Sequence, residues 1–136
     1  MIYIDYIEGD MSVPFDTLAW ERCYRSLLGR SLRMNPDLKI VLGTPFVAYT
    51  GTMKDKKNFA LRDSLVHSLS RIVKRIAADY HAVCLPYDEM FDEILAKGPT
   101  SQDTYWIWDG IHPTPAGHKR ISELWMEKVE QARILP

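Results

Sequence analysis

Three short apolar runs, each followed by a longer amphipathic stretch, limit this chain to a small set of folds. Residues 1–7 (MIYIDYI), 38–42 (LKIVL) and 82–85 (AVCL) are β-branched, aromatic or aliphatic almost throughout. Runs of that kind read as strands buried on both faces, the type found in parallel sheets. Between them the apolar spacing changes to three and four. In residues 15–34 the positions Trp20, Tyr24, Leu27, Leu28 and Leu32 form one helical stripe. Asn35-Pro36-Asp37 ends it, because a residue before proline disfavours the α region. A long helix is expected to end near Tyr80, with Leu61, Leu65, Leu69, Ile72, Val73 and Ile76 inward and Arg71, Lys74 and Arg75 on a solvated face. A short helix over 86–97 carries Met90, Phe91, Ile94 and Leu95, and a last one over 116–132 turns Ile121, Leu124, Trp125 and Val129 inward.

The order β-α-β-α-β-α-loop-α implies an α/β fold with right-handed crossovers: a three-layer α/β/α, flavodoxin-like parallel sheet in a single domain, residues 1–136. Three strands are few for such a sheet, which usually has about five. A buried strand at the very start of the chain also needs neighbours. The sheet is therefore expected to be incomplete, with its N-terminal strands missing. Residues 47–58, polar, with Gly51 and three lysines, read as a surface excursion.

Composition narrows the function classes. Lys and Arg total 17 against 18 Asp and Glu, a net charge of −1. A chain that held nucleic acid through its phosphates would carry a basic excess, so nucleic acid is not expected as a partner. No apolar run reaches the roughly 18–20 residues needed to span a bilayer, and no leader is visible at the start. The compartment stays open. Cys23 and Cys84 sit inside apolar patterns at no metal-like spacing and read as buried free thiols.

The residues with chemical potential cluster late in the chain, in Trp108-Asp109-Gly110-Ile111-His112-Pro113-Thr114-Pro115-Ala116-Gly117-His118. An Asp three residues before a His, in a tight loop, can present both side chains to one cavity. A carboxylate accepting from one ring nitrogen fixes the tautomer and leaves the other nitrogen as a general base. The bland alternative is a loop tied by a side-chain hydrogen bond. His118 reads as a loop-fixing residue, and His67 and His81 as surface residues. Trp106 and Trp108 flank the loop, either lining an acyl or sugar pocket or packing beneath it. A metal site from Asp10, Asp109, His112 and His118 is chemically conceivable but has no supporting spacing, so no metal and no cofactor are expected.

The Asp-x-x-His-Pro-x-x-x-Gly-His run before an amphipathic C-terminal helix resembles the last block of the SGNH hydrolase superfamily, the GDSL-type esterases and lipases. The upstream succession of elements fits the same family over essentially the whole chain. The resemblance implies a serine esterase or acyl hydrolase acting on small acyl esters, such as acetylated carbohydrates or lipids, without a cofactor. It implies His112 as general base and Asp109 as its orienting acid. The family's third block, Gly-x-Asn-Asp, falls on Ile7-Glu8-Gly9-Asp10. Gly9 and Asp10 thereby become candidates for the oxyanion and substrate-binding position. Asp10 matches, but Gly9 stands where the family has Asn and Ile7 where it has Gly. Loss of such a side-chain donor typically reduces turnover about 10²–10³-fold.

The family's Gly-Asp-Ser block, which supplies the nucleophile, is not found. Gly9-Asp10-Met11-Ser12 is a near miss, and too few strands lie between Ser12 and His112 for Ser12 to fill that role. The chain is accordingly read as the C-terminal two-thirds or so of an SGNH-type domain. Two rivals remain: a non-catalytic or decayed hydrolase fragment, prone to self-association through an exposed sheet edge, and a metal-dependent hydrolase reusing the Asp/His pair.

Overall fold

The computed structural model describes residues 6 and 9, residues 11–97 and residues 103–134. They fall into two compact units, Met1–Ile40 and Val41–Pro136. In the first, helix α1 (Thr17–Met34) starts where the Asp16 carboxylate accepts the Ala19 N–H at 2.8 Å, a side-chain N-cap. It ends at Asn35, as the Asn-Pro stop requires. The inward row is narrower than the expected stripe. Trp20, Tyr24 and Leu28, four residues apart, face inward or are half-buried, with the Trp20 and Tyr24 rings 5.2 Å apart. Leu27 and Cys23 lie one position earlier in each turn and are exposed. Cys23 is therefore not the buried thiol that its apolar neighbours implied. The first expected strand, residues 1–7, lies outside the described residues except for Tyr6, whose backbone is helical rather than extended.

The second unit is a parallel α/β arrangement. Strands β1 (Val41–Gly43) and β2 (Val83–Leu85) pair in parallel, with Val41 opposite Val83 and Gly43 opposite Leu85. Helix α2 (Phe59–Asp79) is the crossover and packs on both strands. Helix α3 (Tyr87–Ala96) follows β2, and α4 (Pro115–Gln131) packs on β2. Among the described residues the sheet has these two strands. β1 begins three residues later than expected because Leu38 still belongs to the turn after α1, its N–H donating to Asn35 O at 3.2 Å. No described helix is long and apolar enough to cross a membrane.

The inward face of α2 is Val66, Leu69, Ile72, Val73, Ile76 and Ala77, while Leu61 is exposed. Phe91 of α3, Ile107 and Ala48 make a further buried cluster, against which Phe46, Trp106 and Leu124 pack. Lys74 does not lie on a solvated face. Its ammonium pairs with Asp88 at 2.9 Å and Glu89 at 2.6 Å, half-buried at the start of α3. Asp88 is itself buried and accepts the Thr44 hydroxyl at 2.6 Å, while its own N–H donates to Thr44 Oγ1 at 3.1 Å. The Thr44 N–H continues the strand ladder to Leu85 O at 2.9 Å. One carboxylate thus joins the end of β1, the start of α3 and the flank of α2.

Residues 47–58 are only partly the expected excursion. Val47, Ala48, Thr50 and Met53 are buried, and Gly51–Asp55 forms a 3-10 turn. The polarity belongs to the lysine-rich end; the preceding run (PFVAYT) is apolar enough to pack. Burial pushes the Asp88 carboxyl up, but hydrogen bonds from Thr44, Lys74 and the Glu89 N–H, with the Lys74 charge, hold it below the usual carboxylate range. Its folded pKa lies under its unfolded one, so its stabilisation is present above about pH 4 and lost as pH falls through the folded value. Asp88→Asn is expected to cost about 1–2 kcal/mol at neutral pH. It should also flatten the acid side of the stability–pH curve, read by urea unfolding between neutral and acid pH.

Candidate active site

The Asp-x-x-His segment is the tip of a narrow hairpin. Ile107 and Pro113 bridge in antiparallel fashion, the Trp108 N–H donates to His112 O at 2.8 Å, and the Thr114 N–H donates to Trp106 O at 3.1 Å. Ile107 is fully buried and anchors the base of the hairpin. Thr114 then caps α4, its hydroxyl oxygen accepting the Gly117 N–H at 3.2 Å, and Pro115 opens the helix.

Within the tip, Asp109 has two tasks. Its Oδ1 accepts the N–H of Ile111 at 3.0 Å and of His112 at 2.8 Å, closing the turn. Its Oδ2 lies 2.8 Å from Nδ1 of His112. Partial burial pushes the Asp109 carboxyl up. The His112 N–H, the imidazole and the Ile111 N–H outweigh that and hold it below the usual carboxylate range. An ionised carboxylate can only accept, so Nδ1 carries the proton, and in the neutral ring the lone pair is then on Nε2. The imidazole is 64% exposed and the carboxylate 23%, so the orienting group is the more sheltered of the two. Such a pair can take a proton at Nε2 and stabilise the resulting imidazolium.

The hairpin tip rests on residues 48–53. The Ala48 N–H donates to Gly110 O at 2.9 Å, the Met53 N–H to Asp109 O at 3.1 Å, and the buried Thr50 hydroxyl to Ile107 O at 3.2 Å. The backbones touch where both carry glycine. Gly51 has φ +50°, and a Cβ there would meet Trp108 O at 2.2 Å. Gly110 has φ +98°, and a Cβ there would meet Met53 Cβ at 2.4 Å and Ala48 O at 2.7 Å. The sequence alone did not connect these residues to Asp109; an apolar run leaving a strand end and closing on a glycine was the available signal.

The other expected positions separate. Gly9 and Ser12 belong to the first unit and are exposed, while Asp10 lies outside the described residues. Asp109 and His112 are brought together. His118 is exposed on the first turn of α4, and the loop is fixed instead by Thr114 and Asp109. His67 is half-buried, 3.4 Å from Asp63, and His81 is exposed with φ +51°. Trp106 packs against the Phe91 cluster, whereas Trp108 is 69% exposed. Among the described residues no group of three or more His, Cys, Asp or Glu could hold a metal ion.

Over residues 9–120 the chain matches the GDSL-like lipase/acylhydrolase family. No curated protein matches it. Solved structures do. A GDSL-like lipase from Parabacteroides merdae is 20% identical with a TM-score of 0.71, over 88% of this chain and 52% of that one. An acetylxylan esterase from Geobacillus stearothermophilus is 24% identical with a TM-score of 0.63, over 80% and 45%. The esterase domain of a zebrafish retrotransposon protein is 17% identical with a TM-score of 0.66, over 87% and 61%. At these identities the likeness shows the fold, the α/β fold expected from the strand–helix order. The chain spans about half the length of the first two structures.

Gly110→Ala should strain a positive-φ backbone and force the hairpin off Met53. A loss of about 2–3 kcal/mol is expected, read as a lower urea midpoint with an unchanged slope.

Proposed function

The chain belongs to the GDSL-like lipase/acylhydrolase family, and from that premise we propose that it carries the acid–base half of a carboxylic ester hydrolase. His112 is the general base and Asp109 the residue that orients it. A serine hydroxyl attacks the ester carbonyl, and Nε2 of His112 takes its proton and later passes it to the leaving alcohol. Asp109 holds the ring and stabilises the imidazolium without itself accepting the proton. Backbone N–H groups meet the charge that develops on the carbonyl oxygen. No metal or organic cofactor takes part. The observation that carries the reading is the 2.8 Å contact between Asp109 Oδ2 and His112 Nδ1, made by the same carboxylate that closes the turn.

The substrates we propose are small acyl esters. Acetylated carbohydrates lead, because one structure of the same fold is an acetylxylan esterase. The nucleophile is assigned to a Gly-Asp-Ser turn in a segment that precedes these residues in the domain. That accords with a chain that spans about half the length of the first two structures and with the lack of such a motif here. Gly9 and Asp10 are proposed to stand at the oxyanion block, with backbone donors replacing the usual Asn side chain.

A second reading has its own observation. With Gly9 in place of that Asn and no serine motif in its 136 residues, the chain also fits a hydrolase part that no longer turns over. Reading the coding DNA upstream of Met1 separates the two, followed by assay of the product on a chromogenic acetyl ester. The expected result is an in-frame Gly-Asp-Ser at a strand end and an active product. His112→Ala should lower its kcat about 10²–10⁴-fold. Activity should also fall on the acid side as the imidazole is protonated, while Asp109, held low, stays ionised. A stop codon upstream, or activity that survives His112→Ala, would overturn the proposal.

A further inference from the structure

We propose that residues 48–53 are a positioning element for the imidazole of His112, with Thr50 as its principal side chain. The inference deepens, and rests on, the reading of His112 as the base. The hairpin uses the N–H groups of Trp108 and Thr114 for its own closure. Three of its carbonyls, those of Ile107, Asp109 and Gly110, are met instead by the Thr50 hydroxyl and by the N–H groups of Met53 and Ala48. The Thr52 hydroxyl adds a longer contact to Asp109 O at 3.4 Å. The backbone on both sides of the Asp109 carboxylate is thereby held from one segment.

Thr50 is the buried side chain in this set, 4% exposed. Gly51 sets the approach distance, because any side chain there would collide with Trp108 O and Asp109 Cα. A change in residues 48–53 therefore shifts the Asp109 backbone, and with it the carboxylate that holds Nδ1. The consequence reaches the chemistry through the tautomer. The tautomer follows the hydrogen bond that one ring nitrogen makes, and an imidazole released from its carboxylate reverts toward the Nε2–H form. That form has no lone pair where a base needs one. Thr50 thus acts through Asp109 and touches no substrate.

The test is nitrogen-15 NMR of the imidazoles in the full chain at alkaline pH, where the two nitrogen shifts report the tautomer. The parent should show His112 mainly as Nδ1–H. Thr50→Val, which keeps the shape and removes the donor, should raise the Nε2–H share several-fold, and Thr50→Ser should restore the parent ratio. Gly51→Ala, which pushes the hairpin away by contact rather than by a lost bond, should shift the ratio in the same direction. It supplies the readout if Thr50→Val does not fold. A parent-like tautomer in folded Thr50→Val or Gly51→Ala would overturn the positioning role, as would a Thr50→Ser variant that behaves like Thr50→Val. These readings need no turnover. Ester hydrolysis that persists in His112→Ala would instead overturn the base assignment, and an unchanged tautomer beside His112-dependent hydrolysis would overturn this inference alone.

Discussion

The carboxylate of Asp109 is the group on which the candidate site depends. One oxygen closes the turn through two backbone N–H groups, and the other fixes the imidazole. The geometry of the turn and the state of the ring therefore cannot be varied independently. Stabilising the charged carboxylate with backbone donors also lowers its proton affinity, so it stays a hydrogen-bond acceptor and does not compete for the proton His112 would carry. Glutamate in its place would add a methylene and displace one task or the other.

That turn is held from the sheet outward. Thr44, at the end of β1, is tied to Asp88 and through it to Lys74, so the exit of the strand has a defined direction. The chain then runs along Pro45, whose carbonyl accepts the Ser70 hydroxyl at 2.9 Å, to the buried residues that meet the hairpin. A strand end, a short apolar run and a 3-10 turn make a continuous backing from the core to Asp109. Exposed loops hold function well when such a scaffold lies beneath them.

Much of this order was legible in the residues. The strand–helix alternation, the Asn-Pro stop at Asn35, the helices ending near Ala96 and Gln131 and the Asp109–His112 pairing all follow from local rules that act within a few residues. What escaped was long-range. The polar character of residues 54–58 hid the packing of Val47, Ala48 and Met53, because hydropathy averaged over a window cannot say which end of it meets a hairpin 57 residues away. Lys74 looked solvated because its partners, Asp88 and Glu89, come from another helix. Cys23 looked buried because a stripe read from spacing is wider than the row that actually faces inward.

The pair Asp109 and His112 is separated by two residues, and its contacts to the backbone lie inside the same turn. Bringing them together requires closing only a very short loop, with little loss of chain entropy, whereas constellations drawn from distant segments form only when the whole topology does. The Asp109–His112 pair is thus a low-contact-order unit. It travels intact with whatever piece of polypeptide carries the hairpin and its backing.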